Sequence, residues 1–166
     1  MESFHRIIQR FARPSPSLIN STFGEMTLHG GSWVSYKDFP QARELVEVSV
    51  WGTKGPSVYQ QTVWQKLTQQ LIEITPPSKK ALYEELETVL NSDDNLDIDD
   101  LYLSDEYRPK GPTEIWRIAF PISIDVYPEG YSSEYDCRIY YAFPVDREHN
   151  RSVFLKGSKL VSVMPE

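Results

Sequence analysis

The chain has 166 residues and a mass of 19.2 kDa, enough for one domain of ordinary size that buries a core without covalent staples. A single cysteine excludes an intramolecular disulfide framework and any cysteine-only metal cluster, and a formal charge of −7 argues against a general nucleic-acid binder. The charge is concentrated in one stretch: residues 84 to 106 hold ten acids and no Lys or Arg, and the seventeen bases and fourteen acids elsewhere leave +3.

At the N-terminus Phe4, Ile7, Ile8 and Phe11 recur at helical spacing, with His5, Arg6, Arg10 and Arg13 on the other sides. The pattern predicts a short amphipathic helix over residues 1–13, ended by Pro14 and Pro16. Docking on the domain through the apolar stripe is the simplest use of such a helix. Contact with anionic lipid and an organelle presequence share the pattern. No apolar run approaches the roughly 18 residues of a membrane span, so the expectation is a soluble cytoplasmic protein with no membrane span.

Residues 18–166 are predicted to form a single domain. Phe23 to Leu28 and Trp33 to Lys37 flank Gly30-Gly31, the pattern of a hairpin. Val46, Val48 and Val50 alternate with Glu47 and Ser49, as in a strand buried on one face. Gly52, Gly55 and Pro56 break it. Ser57 with Gln60 three residues on is a capping-box pattern, and Val63, Trp64, Leu67, Leu71 and Ile74 continue as a helical stripe. Thr75-Pro76-Pro77-Ser78 is expected to close that helix and open a second one, with Leu82, Leu86, Val89 and Leu90 inward and Glu84, Glu85 and Glu87 mostly outward. Asn91-Ser92 ends it, and an acidic loop over residues 91–108 follows.

Ile115 to Val126 reads as the clearest strand, with Trp116, Ile118, Phe120, Ile122, Ile124 and Val126 on one face and Arg117, Ser123 and Asp125 on the other. Pro121 falls on the outer register and, lacking an N–H, marks an edge or a bulge. Tyr135, Cys137, Ile139, Tyr141, Phe143 and Val145 make a second inward row. Ser152 to Leu155 and Leu160 to Val163 straddle Lys156-Gly157-Ser158-Lys159, a further hairpin signal. Strands segregated from helices predict an α+β fold: an antiparallel sheet with two central helices packed on one face and the short N-terminal helix.

The succession Phe23-Gly24-Glu25-Met26, Val46-Glu47-Val48-Ser49-Val50, a Gly-Pro-Ser turn, a helix carrying Gln61, Trp64 and Leu67, and the closing run Val153 to Val163 resembles a group of small bacterial α+β domains. Some of these are encoded beside polymorphic or contact-delivered toxins as immunity proteins. The likeness spans residues 22–163 through strand, helix and turn pattern. It implies a bacterial cytoplasmic protein and toxin neutralisation, and carries over no functional residue. The N-terminal basic helix and the long acidic insert depart from it.

No catalytic constellation is expected. Cys137 lies in an inward strand register, where a structural thiol is the natural reading. No Gly-x-Ser-x-Gly elbow or phosphate loop is present. His5, His29 and His149 lack helical metal-site spacing. Trp64 and Trp116 read as core, while Trp51 at a strand end and Tyr140 on an outward register are candidates to line a groove. Tyr127, Tyr131, Tyr135, Tyr140 and Tyr141 cluster around one hairpin.

Asp93-Asp94-Asn95-Leu96-Asp97-Ile98-Asp99-Asp100 offers oxygen ligands at alternate positions, but no register gives an EF-hand: from Asp93, position six is Ile98 and position twelve Ser104. No metal or other cofactor is therefore assigned. Leu96, Ile98, Leu101, Tyr102, Leu103 and Tyr107 interleave with the acids, unlike a purely solvating tail. The expectation is a non-enzymatic protein whose Asp93, Asp94, Asp97, Asp99, Asp100, Tyr102, Asp105, Glu106 and Tyr107 bind a basic protein partner, such as a toxin domain acting on nucleic acid, without direct nucleic-acid contact. Charge steers such an association and aromatic anchors hold it. The alternative is a small-ligand or divalent-metal binding domain that uses the same loop.

Overall fold

A computed structural model describes residues 15–91, 108–145 and 150–166. Eight strands form one sheet in sequential order: β1 (Ser17–Asn20), β2 (Gly24–His29), β3 (Ser32–Lys37), β4 (Val46–Trp51), β5 (Phe120–Val126), β6 (Cys137–Ala142), β7 (Arg151–Lys156) and β8 (Lys159–Pro165). Two helices, α1 (Val58–Gln69) and α2 (Leu71–Leu90), and a 3-10 helix (Pro112–Arg117) lie between β4 and β5. The architecture is α+β. The predicted N-terminal helix over residues 1–13 lies outside the described residues.

The sheet is not wholly antiparallel, as the sequence pattern had implied: β4 and β5 pair in parallel, Val48 opposite Ile124. The cause is the connection between them. A chain leaving β4 through two helices and a 3-10 turn can return to the end where β4 began, and parallel neighbours require such a crossover. Every other neighbouring pair is antiparallel. At the β2–β3 turn Gly30 and Gly31 hold φ of 54° and 92°, the left-handed pair that a two-residue hairpin loop needs.

One register of the sheet supplies the core. Met26, Trp33, Val46, Val48, Val50, Ile124, Val126, Cys137, Ile139, Tyr141, Val153 and Leu155 join one buried cluster with Val63, Trp64 and Leu67 of α1 and Ile74, Leu82, Leu86 and Val89 of α2. The opposite register stays outside that cluster: Glu47, Ser49, Ser123, Asp125, Arg138 and Tyr140 alternate with the core residues along their strands. Burial of one face at roughly 25 cal/mol per Å² of apolar surface drives this alternation.

The first helix begins as the sequence predicts, but the second begins earlier than expected. Ser57 caps α1 in a reciprocal box: the Gln60 N–H donates to Ser57 Oγ at 3.2 Å, and the Ser57 N–H donates to Gln60 Oε1 at 3.0 Å. The break falls at Gln70, and Ile74, Pro76 and Pro77 all belong to α2. Those prolines remove the donors that would reach the carbonyls of Ile72 and Glu73. Both of those residues are exposed, so water can serve the carbonyls and the helix continues.

The long strand expected from Ile115 is shortened. Pro112 starts a 3-10 helix, and the N–H groups of Ile118 and Ala119 both turn back to the Ile115 carbonyl at 3.1 and 2.9 Å. Ile115 and Ile118, three apart and both buried, fit that tighter winding. Within β5 the register slips between Pro121 and Ser123, so the bulge that Pro121 signalled is present. Pro121 is buried, however, and Ile122 is turned outward at 38% exposure, the reverse of the predicted facing. The bulge also explains a proline in a central strand, where a regular ladder would need its N–H. Strand β1 was not legible because Ser-Leu-Ile-Asn is too short to show a period.

Candidate functional site

The nine residues expected to bind a partner, Asp93, Asp94, Asp97, Asp99, Asp100, Tyr102, Asp105, Glu106 and Tyr107, lie outside the described residues. Their flanks are described. Asn91 closes α2, its N–H donating to the Glu87 carbonyl at 3.0 Å. Arg108 precedes the 3-10 helix, which packs on α2. The acidic stretch is thus anchored at both ends in elements that touch each other. His5 and His149 also lie outside the described residues, and His29 is exposed at the β2–β3 turn.

The described residues place a second acidic and aromatic surface on the register of the sheet opposite the core. Its centre is Arg138. The guanidinium bonds Asp125 through Nε at 3.1 Å and also through Nη2, and reaches Glu166 Oε1 from Nη1 at 3.0 Å. It sits 4.6 Å from the centre of the Tyr140 ring, and the Tyr140 hydroxyl donates to Glu166 Oε2 at 2.8 Å. Pairing across β5, β6 and β7 produces this constellation: Asp125 lies opposite Arg138, and Arg138 opposite Phe154. Partial burial of Glu166 pushes its pKa up, but the Tyr140 hydroxyl and Arg138 outweigh it and hold the carboxyl below its ordinary value. One cation here answers two carboxylates.

Two strands towards β1 from Asp125, Tyr36 lies opposite Glu47. The tyrosine hydroxyl donates to Glu47 Oε2 at 3.3 Å, and Ser49 Oγ donates to Glu47 Oε1 at 3.3 Å. The Glu47 charge, then the hydrogen bond, raise the Tyr36 pKa above the usual phenol value. Tyr36 is 61% exposed. Beside it Glu25, Thr27, His29, Val34 and Lys37 border a shallow depression of about 360 Å³.

At the end of the sheet where β4 and β5 finish, Trp51 packs 5.3 Å from Tyr127 and 5.5 Å from Tyr131, and the two tyrosines stack at 4.5 Å. Tyr135 extends the group to Phe154 at 4.7 Å. Trp51 and Tyr140, the two expected groove candidates, therefore sit on this face but are engaged by neighbours. Trp64 is core, and Trp116 stacks on Tyr141 at 5.5 Å, partly buried. Beneath the face Gln60 of α1, 2% exposed, ties the strand ends together. Its Nε2 donates to the Trp51 carbonyl at 2.8 Å and the Val126 carbonyl at 3.2 Å.

Cys137 is fully buried, and desolvation together with Asp136 raises its thiol pKa far above the usual range, the inert setting its register implied. Glu85, expected mostly outward, pairs instead with the buried Arg151 at 3.1 Å, and Arg151 also lies over the Phe143 ring at 4.8 Å. A lone Glu on a helix gives no sign of a cation 66 residues away in sequence. Among the described residues no three His, Cys, Asp or Glu come together in a group that would hold a metal ion. Likewise, among them no helix is long and apolar enough to cross a membrane. Tyr36, Glu47, Asp125, Arg138 and Glu166 were missed as a group. Period-two alternation in β4 and β5 marked Glu47 and Asp125 as outward, but which strands lie side by side was not readable.

No family model, curated protein or solved structure matches the chain.

Proposed function

We propose that the protein is a non-enzymatic, cytoplasmic immunity protein that blocks a basic toxin domain acting on nucleic acid. The observation that carries this reading is the −10 stretch of residues 84 to 107, in which Leu96, Ile98, Leu101, Tyr102, Leu103 and Tyr107 accompany the carboxylates. Carboxylates in number stand in for phosphates before a cationic cleft, and tyrosine and leucine anchors exclude water once the surfaces meet. Support comes from the resemblance, over residues 22–163, of the strand, helix and turn pattern to small bacterial domains that include immunity proteins. Further support comes from the packing of α2 against the 3-10 helix, which anchors both flanks of the stretch. The mechanism is steric occlusion of the toxin's nucleic-acid cleft.

The test replaces Asp93, Asp94, Asp97, Asp99 and Asp100 by Asn and measures association with the toxin domain encoded in the neighbouring reading frame. The expected result is association slowed by about tenfold or more at low salt, with a flattened salt dependence. An unchanged association rate overturns the acidic-surface mechanism. Failure of the unmodified chain to suppress that neighbour's toxicity overturns the functional class.

A further inference from the structure

We propose that Tyr36, Glu47 and Glu25 form a docking site for an arginine side chain of the basic partner, a second contact on the sheet face away from the core. This inference rests on the functional reading above for the identity of the partner. The argument comes from a repetition within the sheet itself. On β6 the chain already shows how this face receives a guanidinium: Arg138 lies over the Tyr140 ring and bridges Asp125 and Glu166, with the tyrosine hydroxyl donating to Glu166.

The same parts recur at Tyr36. Its hydroxyl donates to the Glu47 carboxylate, and continuing the β2–β3 register sets Glu25 opposite Tyr36 on the other side. The two tyrosines occupy one cross-strand row, Tyr36–Glu47–Ser123–Tyr140. The difference is the cation. Among the described residues neither Glu25 nor Glu47 forms an ion pair, and Glu47 receives only neutral hydroxyls, from Tyr36 and Ser49. Lys37, the nearest cation along the strand, borders the depression but sits opposite Val46 in the core-side register and forms no ion pair with Glu25 or Glu47 among the described residues.

An arginine fits this arrangement better than a lysine. Its planar group stacks on a tyrosine ring while its fork reaches carboxylates on either side, whereas an ammonium offers a compact point charge. Tyr36, 61% exposed, presents ring surface for that stacking, and the depression bordered by Glu25, His29 and Val34 leaves room for the aliphatic stem. The site lies on an open sheet face, so the partner element can be a loop or an extended segment that crosses the strands.

The experiment is an NMR titration of the full chain with octa-arginine, and in parallel with octa-lysine, monitored at the backbone amides. It is run on the native sequence and on the variant with Asp93, Asp94, Asp97, Asp99 and Asp100 replaced by Asn. The expected result is saturable shifts at Tyr36, Glu47 and Ser49 that persist in the Asp-to-Asn variant. These shifts should favour arginine over lysine by about fivefold or more in affinity. They should disappear in Tyr36→Ala and weaken in Glu47→Gln, both outside the buried core cluster, with unchanged amide dispersion elsewhere confirming that each variant is folded. Shifts confined to residues 93–107 overturn this inference and leave the functional reading standing. Equal response to octa-lysine overturns the guanidinium assignment. No shift anywhere removes both.

Discussion

Replacing Gln60 with methionine tests how the helices are tied to the parallel strand pair. The substitution keeps chain length and nearly the volume, so packing changes little. It removes two donations from Nε2, to the Trp51 carbonyl at 2.8 Å and the Val126 carbonyl at 3.2 Å, and the acceptance from the Ser57 N–H at 3.0 Å. The three losses differ in weight. Trp51 and Ser57 lie near solvent, where water replaces the partner and the net loss is about 0.5–1 kcal/mol each. Val126 is fully buried, and an unserved buried carbonyl costs about 1–3 kcal/mol. The expected destabilisation is therefore roughly 2–5 kcal/mol, a large share of the 5–15 kcal/mol of a typical domain. Equilibrium urea unfolding, followed by both tryptophan fluorescence and far-UV circular dichroism, measures it as a fall in midpoint at constant m-value. A loss below about 1 kcal/mol would refute the reasoning, since it would mean that the strand ends do not depend on this side chain.

Three further outcomes are expected. Cys137 should react with a thiol reagent at pH 8 at least about a hundredfold more slowly in the native chain than in denaturant; rapid stoichiometric labelling of the native chain contradicts its burial. Glu166 has a depressed folded pKa, so its contribution to stability is present above its unfolded value and is lost as pH falls through the folded one. Glu166→Gln should accordingly lower stability at pH 7 by more than it does in acid, the deficit shrinking as pH falls below the ordinary carboxylate range, and a deficit that does not change with pH counts against the Arg138–Tyr140–Glu166 linkage. Finally, Pro76→Ala restores a helix donor at an exposed position of α2 and should raise stability by about 1–2 kcal/mol in the same urea assay; a destabilised variant would argue that the helix does not run through Pro76.

Local chemistry made several elements legible. The Ser57–Gln60 box, the Gly30-Gly31 turn and the Lys156–Lys159 hairpin each depend on residues within four positions of one another, and the structure contains all three. The alternation of Val46, Val48 and Val50 reported a strand with one buried face for the same reason. Errors arose where a local signal has two solutions. Pro76-Pro77 can end a helix or sit in its early turns, and the choice depends on whether the freed carbonyls face water. Ile115 to Val126 alternates convincingly, yet a 3-10 turn and a bulge divide it, because Ile115 and Ile118 find better burial three residues apart.

Composition alone located the acidic stretch, since charge is additive along a chain and needs no fold to be counted. Period-two alternation from Tyr135 to Val145 put Cys137 inside. Tertiary structure alone decided that β4 and β5 run parallel, that Glu85 meets Arg151 and that Arg138 is shared by Asp125 and Glu166. The physical reason is common to all three. Strand order and direction are set by how the crossover through α1 and α2 closes, a long-range choice made by burying one face of the whole sheet. The pairs that meet on the opposite face are a consequence of that choice, and no residue among them announces its partner.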